Sequence, residues 1–168
     1  MSRRPVRLFL ATSVIAVAAS TLTGCAALEG IFPAQAERDP ETQEIEESGQ
    51  QDVFDVAVGD CFNDGSGAET EEIADIPAVP CDQPHDNEVF HLFDLTGDTF
   101  PADVDQLATD GCGAQFEAFV GLAYDASVFD FFPIQPTAQT WEQGDREVIC
   151  SIYEPDVKST GTLAGAAR

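Results

Sequence analysis

PADVDQLATDGCGAQFEAFVGL, residues 101–122, carries apolar side chains at Val104, Leu107, Ala108, Cys112, Phe116, Phe119 and Val120. Spacings of three and four place them on one stripe, so the stretch predicts an amphipathic helix with one face to bury. Pro101 suits a first turn, where an amide hydrogen has no intrahelical partner, and Asp103 and Asp105 complement the positive end of the dipole. Gly111 and Gly113 each weaken the middle by about 1 kcal/mol, which marks a break or a close contact. Cys112 lies on the stripe and so faces whatever the helix packs against.

Around this helix the pattern changes to a period of two. Val53 to Val58 alternate and predict a strand that ends at Gly59-Asp60. Glu88 to Leu95 is rich in the branched and aromatic residues that suit a pleated surface, and predicts a second strand. Glu147 to Tyr153 predicts a third, with Val148, Cys150 and Ile152 on one face, entered through a Gln143-Gly144-Asp145 turn. Asp125 to Pro136 is aromatic and punctuated by proline, either a short helix or an extended connection. The fold class is α+β: a small, mainly antiparallel sheet packed against one principal helix.

Past Cys25 the cysteines number four: Cys61, Cys81, Cys112 and Cys150. Three pairings are possible. The favoured one joins Cys61 to Cys81 across the turn-rich Asn63–Gly67, and Cys112 on the helix to Cys150 on the third strand. Zinc sites usually show two ligands at short spacing such as C-x₂-C, which this chain lacks, so two disulfides are expected and no metal.

The beginning of the chain supplies the compartment those disulfides need. Arg3, Arg4 and Arg7 precede an apolar run from Leu8 to Ala19, with no acid before Glu29. That is a secretory signal, and the run to Leu22 is short of the roughly 20 apolar residues a bilayer span requires. Leu22-Thr23-Gly24-Cys25 resembles the lipobox of bacterial lipoproteins. The resemblance implies lipidation of the Cys25 sulfur, cleavage after Gly24 and acylation of the new amine. Two or more acyl chains anchor stably, at about 0.8 kcal/mol per buried CH₂.

Three segments follow: residues 1–24 as signal peptide, 25–52 as lipidated cysteine and acidic tether, and 53–168 as the folded domain. In residues 26–52 only Leu28, Ile31, Phe32 and Ile45 are large and apolar, and eight acids stand against Arg38 alone. So little apolar area cannot offset ordering entropy, which predicts a flexible chain reaching roughly 30 Å. After cleavage all 31 acids remain with only Arg38, Arg146, Lys158 and Arg168, a net charge of −27. Such a field repels nucleic acid and anionic lipid headgroups, and keeps the chain soluble.

Several ordered pieces of the domain together resemble the septum-formation family of actinobacterial envelope proteins. They are Val58-Gly59-Asp60-Cys61; Val79-Pro80-Cys81-Asp82-Gln83-Pro84-His85-Asp86-Asn87-Glu88-Val89-Phe90; Phe100-Pro101; Cys112 leading to Phe116; Pro136 through Trp141; and Gly144-Asp145-Arg146 to Cys150. The resemblance spans nearly all of Val53 to Gly165. It implies the exterior part of a membrane-anchored protein with a link to cell division. Many relatives are tethered by a transmembrane helix, whereas this chain carries a lipidation motif.

Asp82, His85, Asp86 and Glu88 form the most suggestive constellation. An imidazole among carboxylates suits a divalent metal or acid–base chemistry. Against this, Pro84 and the short spacing describe a turn entering a strand, with Asp82 and Asp86 bonding nearby amides and His85 fixing the turn. The second reading is favoured. His91 reads as a strand residue with one polar contact. Trp141, Gly144, Asp145 and Arg146 read as a structural group, with Arg146 pairing to Asp145 or another carboxylate. There is no G-x-S-x-G elbow and no phosphate-binding glycine loop. The expectation is a non-catalytic envelope module without a cofactor, on the outer face of the cytoplasmic membrane. Its partners would be the membrane, through the lipid, and envelope or division proteins. Phe129, Phe131 and Phe132, within Val128 to Pro136, are the candidate contact surface, although most of those rings suit a core. The alternative is a cation- or small-ligand-binding lipoprotein using the His85 turn.

Overall fold

The computed structural model describes residues 33–65 and 73–168, so the leader and Cys25 lie outside it. The predicted helix is α1, Val104–Val120, and its buried residues Val104, Ala108, Cys112, Phe116 and Val120 recur every four positions. Leu107 lies off this stripe and is exposed. The helix starts after Pro101, with Asp103 as its cap and Asp105 in the first turn. It stops at Gly121, whose left-handed φ of 80° lets its amide close onto the Glu117 carbonyl.

Opposite α1 stands a six-stranded, wholly antiparallel sheet. Its strands, in chain order after a small outlying pair, are β3 (Gly49–Asp52), β4 (Cys61–Phe62), β5 (Asp75–Val79), β6 (Asn87–Asp94), β7 (Asp130–Ile134) and β8 (Glu147–Tyr153), in spatial order β3-β5-β4-β6-β8-β7. On β8, Val148, Cys150 and Ile152 join the core under α1, as the alternation predicts, while Ile149 faces the other side. On β6 the alternation breaks. A bulge between Val89 and His91 inserts one extra residue. Phe90 and Phe93 thereby both reach the α1 side, and Val89 and Leu92 both reach the opposite one.

The bulge also explains Gly111. A Cβ there would lie 2.2 Å from the Phe93 ring tip, so the glycine is a close contact rather than a helix break. Phe116 is fully buried beneath α1 and meets Phe90 edge-on at 6.3 Å, with Phe131 5.9 Å away on the other side. Both disulfides pair as expected. Cys61–Cys81 closes the β4–β5 connection, and Cys112–Cys150 ties α1 to β8.

Three expectations need correction. Val53–Asp55 is a turn of 3₁₀ helix rather than a strand. The Asp52 carboxylate accepts the Phe54 amide, and burying Val53 and Val56 needs a spacing of three. Asp130–Ile134 is a full edge strand, not merely a connection. The tether, finally, does not run to residue 52. β1 (Glu37–Arg38) pairs with β2 (Ile45–Glu47), and β3 adds to β5 at the sheet edge.

Polar contacts do there what apolar area cannot. Arg38 makes a two-pronged ion pair with the buried Asp60, its Nη1 donating to Oδ1 at 2.7 Å and its Nη2 to Oδ2 at 2.5 Å. It also donates to the carbonyls of Gln43 and Asp55. Gly49 lets the chain cross itself closely, since a Cβ would sit 2.3 Å from the backbone of Gln35 and Ala36.

Candidate functional site

Pro84 and the turn around Asp82-Gln83 deliver His85 into the interior just before β6 begins. Its backbone exchanges two hydrogen bonds with Ser159, at 3.0 and 2.9 Å, so the C-terminal segment runs beside it as a short ladder. The ring is completely buried. Its Nδ1 lies 2.8 Å from the Gln83 carbonyl oxygen. A carbonyl can only accept, so Nδ1 carries a proton, and in the neutral ring Nε2 carries the lone pair. Nε2 is buried and has no hydrogen-bond partner.

Glu88, on β6, is equally buried. Its Oε1 accepts from the Thr162 hydroxyl and its Oε2 from the Leu163 amide, both at 2.6 Å. Burial pushes its carboxyl above the ordinary carboxylate range, while those two donors pull against it. Ligand-type atoms of Cys61, His85 and Glu88 all lie within 4.8 Å of one another. A cleft of about 860 Å³ opens beside them, walled by Thr42–Glu46, Ala57–Cys61 and Pro80–Gln83, with Glu88 and Thr162 reaching it.

Of the four residues expected to cluster, the structure brings only His85 and Glu88 together. Asp86 turns outward to the Lys158 ammonium at 2.6 Å and accepts the Asp64 amide at 3.0 Å. Burial raises its carboxyl, but Lys158 and that amide outweigh it and hold the group below its usual range. Asp82 is exposed at the surface. Cys61, Ser159, Thr162 and Leu163 complete the neighbourhood. The last three lie more than seventy positions from His85 or Glu88, and no local sequence signal marks them.

The second group also differs from its reading. Arg146 does not pair with the Asp145 carboxylate. Its guanidinium lies 3.6 Å over the Trp141 ring and donates to the carbonyls of Trp141 and Asp145. The Asp145 carboxylate instead accepts the Glu147 amide, and Gly144 takes the positive φ of 101° that the turn demands. His91 lies half-buried and stacks on Phe93. Phe129 is buried beneath Arg168, and Phe131 belongs to the core cluster. Phe132 and Ile134 point to the opposite face, where with Phe54 and Ile73 they line an open cleft of about 400 Å³.

The fold and its bonded cysteines define a disulfide-stapled α+β domain with a buried His–Glu pair under a C-terminal strap. Residues 58–167 match the family model described as septum formation, which covers more than half of the chain. The chain belongs to the septum formation family. No curated protein and no solved structure matches it. Among the described residues, no helix is long and apolar enough to cross a membrane.

Proposed function

We propose that this protein is a non-catalytic, lipid-anchored domain on the outer face of the cytoplasmic membrane, where it binds another envelope component during septum formation. The observation that carries the reading is the match of residues 58–167 to the septum formation family. The Leu22-Thr23-Gly24-Cys25 motif supports the anchor, and two disulfides suit an oxidising compartment. The His85 backbone and the Glu88 carboxylate hold the strap, and Arg146 holds the turn before β8, which favours a binding module over an enzyme. Exposed Phe54 and Ile73, rimming the apolar cleft, are the side chains best placed to meet a protein partner.

The test is localisation of the full chain in its host. The fluorescently tagged wild type is expected in the membrane fraction and enriched at septa, and Cys25→Ala is expected to leave the membrane. A photo-crosslinking residue in place of Phe54 is expected to capture an envelope protein in dividing cells. Wild-type chain spread through the cytosol, or uniform around the envelope with no crosslink, overturns the proposal.

A further inference from the structure

We propose that Cys61, Cys81, His85 and Glu88 form a zinc site that the Cys61–Cys81 disulfide closes and its reduction opens. The starting observation is the His85 ring. Metal-binding histidines characteristically donate one ring N–H to a carbonyl or carboxylate, which fixes the tautomer and aims the other nitrogen at the metal. Nδ1 of His85 makes that bond to the Gln83 carbonyl, and leaves Nε2 buried without a partner. A lone pair so placed is costly unless something occupies it.

Other donors are already gathered at that ring. The Cys61 sulfur, a Glu88 carboxylate oxygen and a His85 ring nitrogen lie within 4.8 Å of one another, and Cys81 is bonded to Cys61. The Glu88 oxygens are oriented by Thr162 and Leu163, and each keeps a further lone pair for a metal. Two thiolates, one imidazole and one carboxylate are a donor set that zinc takes tetrahedrally. Cys81 and His85 lie on the segment that enters β6 and Glu88 near the start of that strand, a spacing unlike C-x₂-C.

As long as the disulfide stands, the sulfurs offer no negative charge and the site stays closed. Its two sulfurs differ in access. Cys61 is completely buried, whereas Cys81 is partly exposed beside the 860 Å³ cleft. An external dithiol therefore attacks the Cys81 sulfur as its thiolate. That forms a mixed disulfide and expels the Cys61 thiolate beside His85. The dithiol's second sulfur then displaces Cys81, so the dithiol leaves as a disulfide and each cysteine gains one proton and one electron. Zinc binding releases the two thiol protons to solvent. Cys112 and Cys150 are both fully buried, and the same reagent leaves them bonded.

Anaerobic titration of the full chain with Co²⁺ and then Zn²⁺, after mild dithiol treatment, tests the proposal. The treated chain is expected to bind one Co²⁺ with thiolate charge-transfer and tetrahedral d–d bands, all bleached by one Zn²⁺, while the untreated chain shows none. Among the four domain cysteines, alkylation should mark only Cys61 and Cys81 in the metal-free reduced chain, and neither once zinc is added. His85→Asn and Glu88→Gln keep the turn and are each expected to weaken zinc by about 10- to 100-fold. A reduced, folded wild-type chain without those bands overturns the proposal, as does affinity unchanged in both folded variants. Should both variants unfold, the wild-type spectrum decides alone.

Discussion

Replacing Cys112 and Cys150 together by alanine is expected to lower the unfolding free energy by about 4 kcal/mol, the loop-closure entropy of a bridge spanning 38 positions. The bridge lies at the centre of the larger core, where Phe116, Val148 and Ile152 are buried with it. Alanine leaves no polar atom unpaired, and the small void left by the two sulfurs adds to the loss of the crosslink. Urea unfolding followed through Trp141, the only tryptophan, measures it. The same change at Cys61 and Cys81 should cost about 3 kcal/mol, because the closed loop is shorter. The longer bridge carries the larger penalty.

Arg38→Ala is expected to cost about 3 kcal/mol, because it leaves the buried Asp60 carboxylate with a charge and no cation. The partial exposure of Arg38 keeps the figure at the low end for a broken pair. Adding Asp60→Asn to that variant should restore most of the loss. Asparagine drops the charge yet still accepts the Ala57 amide, which the Asp60 carboxylate holds at 2.7 Å. Hydrogen exchange of Arg38→Ala should show lost protection in Ile45–Glu47 and Gly49–Asp52, while α1 stays protected. Unchanged protection in those strands would show that Arg38 does not hold them, and no protection there in the wild type would return residues 35–52 to the status of a tether.

The parts of the fold legible in the sequence were those written as apolar period. A stripe every three or four residues marked α1, branched and aromatic content marked β6, and alternation marked β8. One cysteine on each stripe was enough to join them. What stayed illegible was held by other means. Residues 37–52 fold on an arginine–aspartate pair, a glycine crossing and backbone pairing, none of which leaves a hydrophobic pattern. The bulge on β6 was hidden because Phe90 and Phe93 are both apolar, whichever face they take. At the candidate site, local spacing found His85 and Glu88 but grouped them with Asp82 and Asp86, which face outward. Their real neighbours, Cys61 and the strap from Ser159 to Leu163, arrive from distant parts of the chain, and only the folded sheet brings them there.

The chain is a domain of the septum formation family braced by two particular disulfides, and we propose that it is exported. Non-reducing peptide mapping of the protein taken from its host's envelope, with free thiols blocked at lysis, tests it most directly. The expected result is Cys112 linked to Cys150, Cys61 linked to Cys81, and a mature chain that begins at a lipid-modified Cys25. Free thiols at Cys112 and Cys150, or a crossed pair such as Cys61 with Cys150, would contradict it.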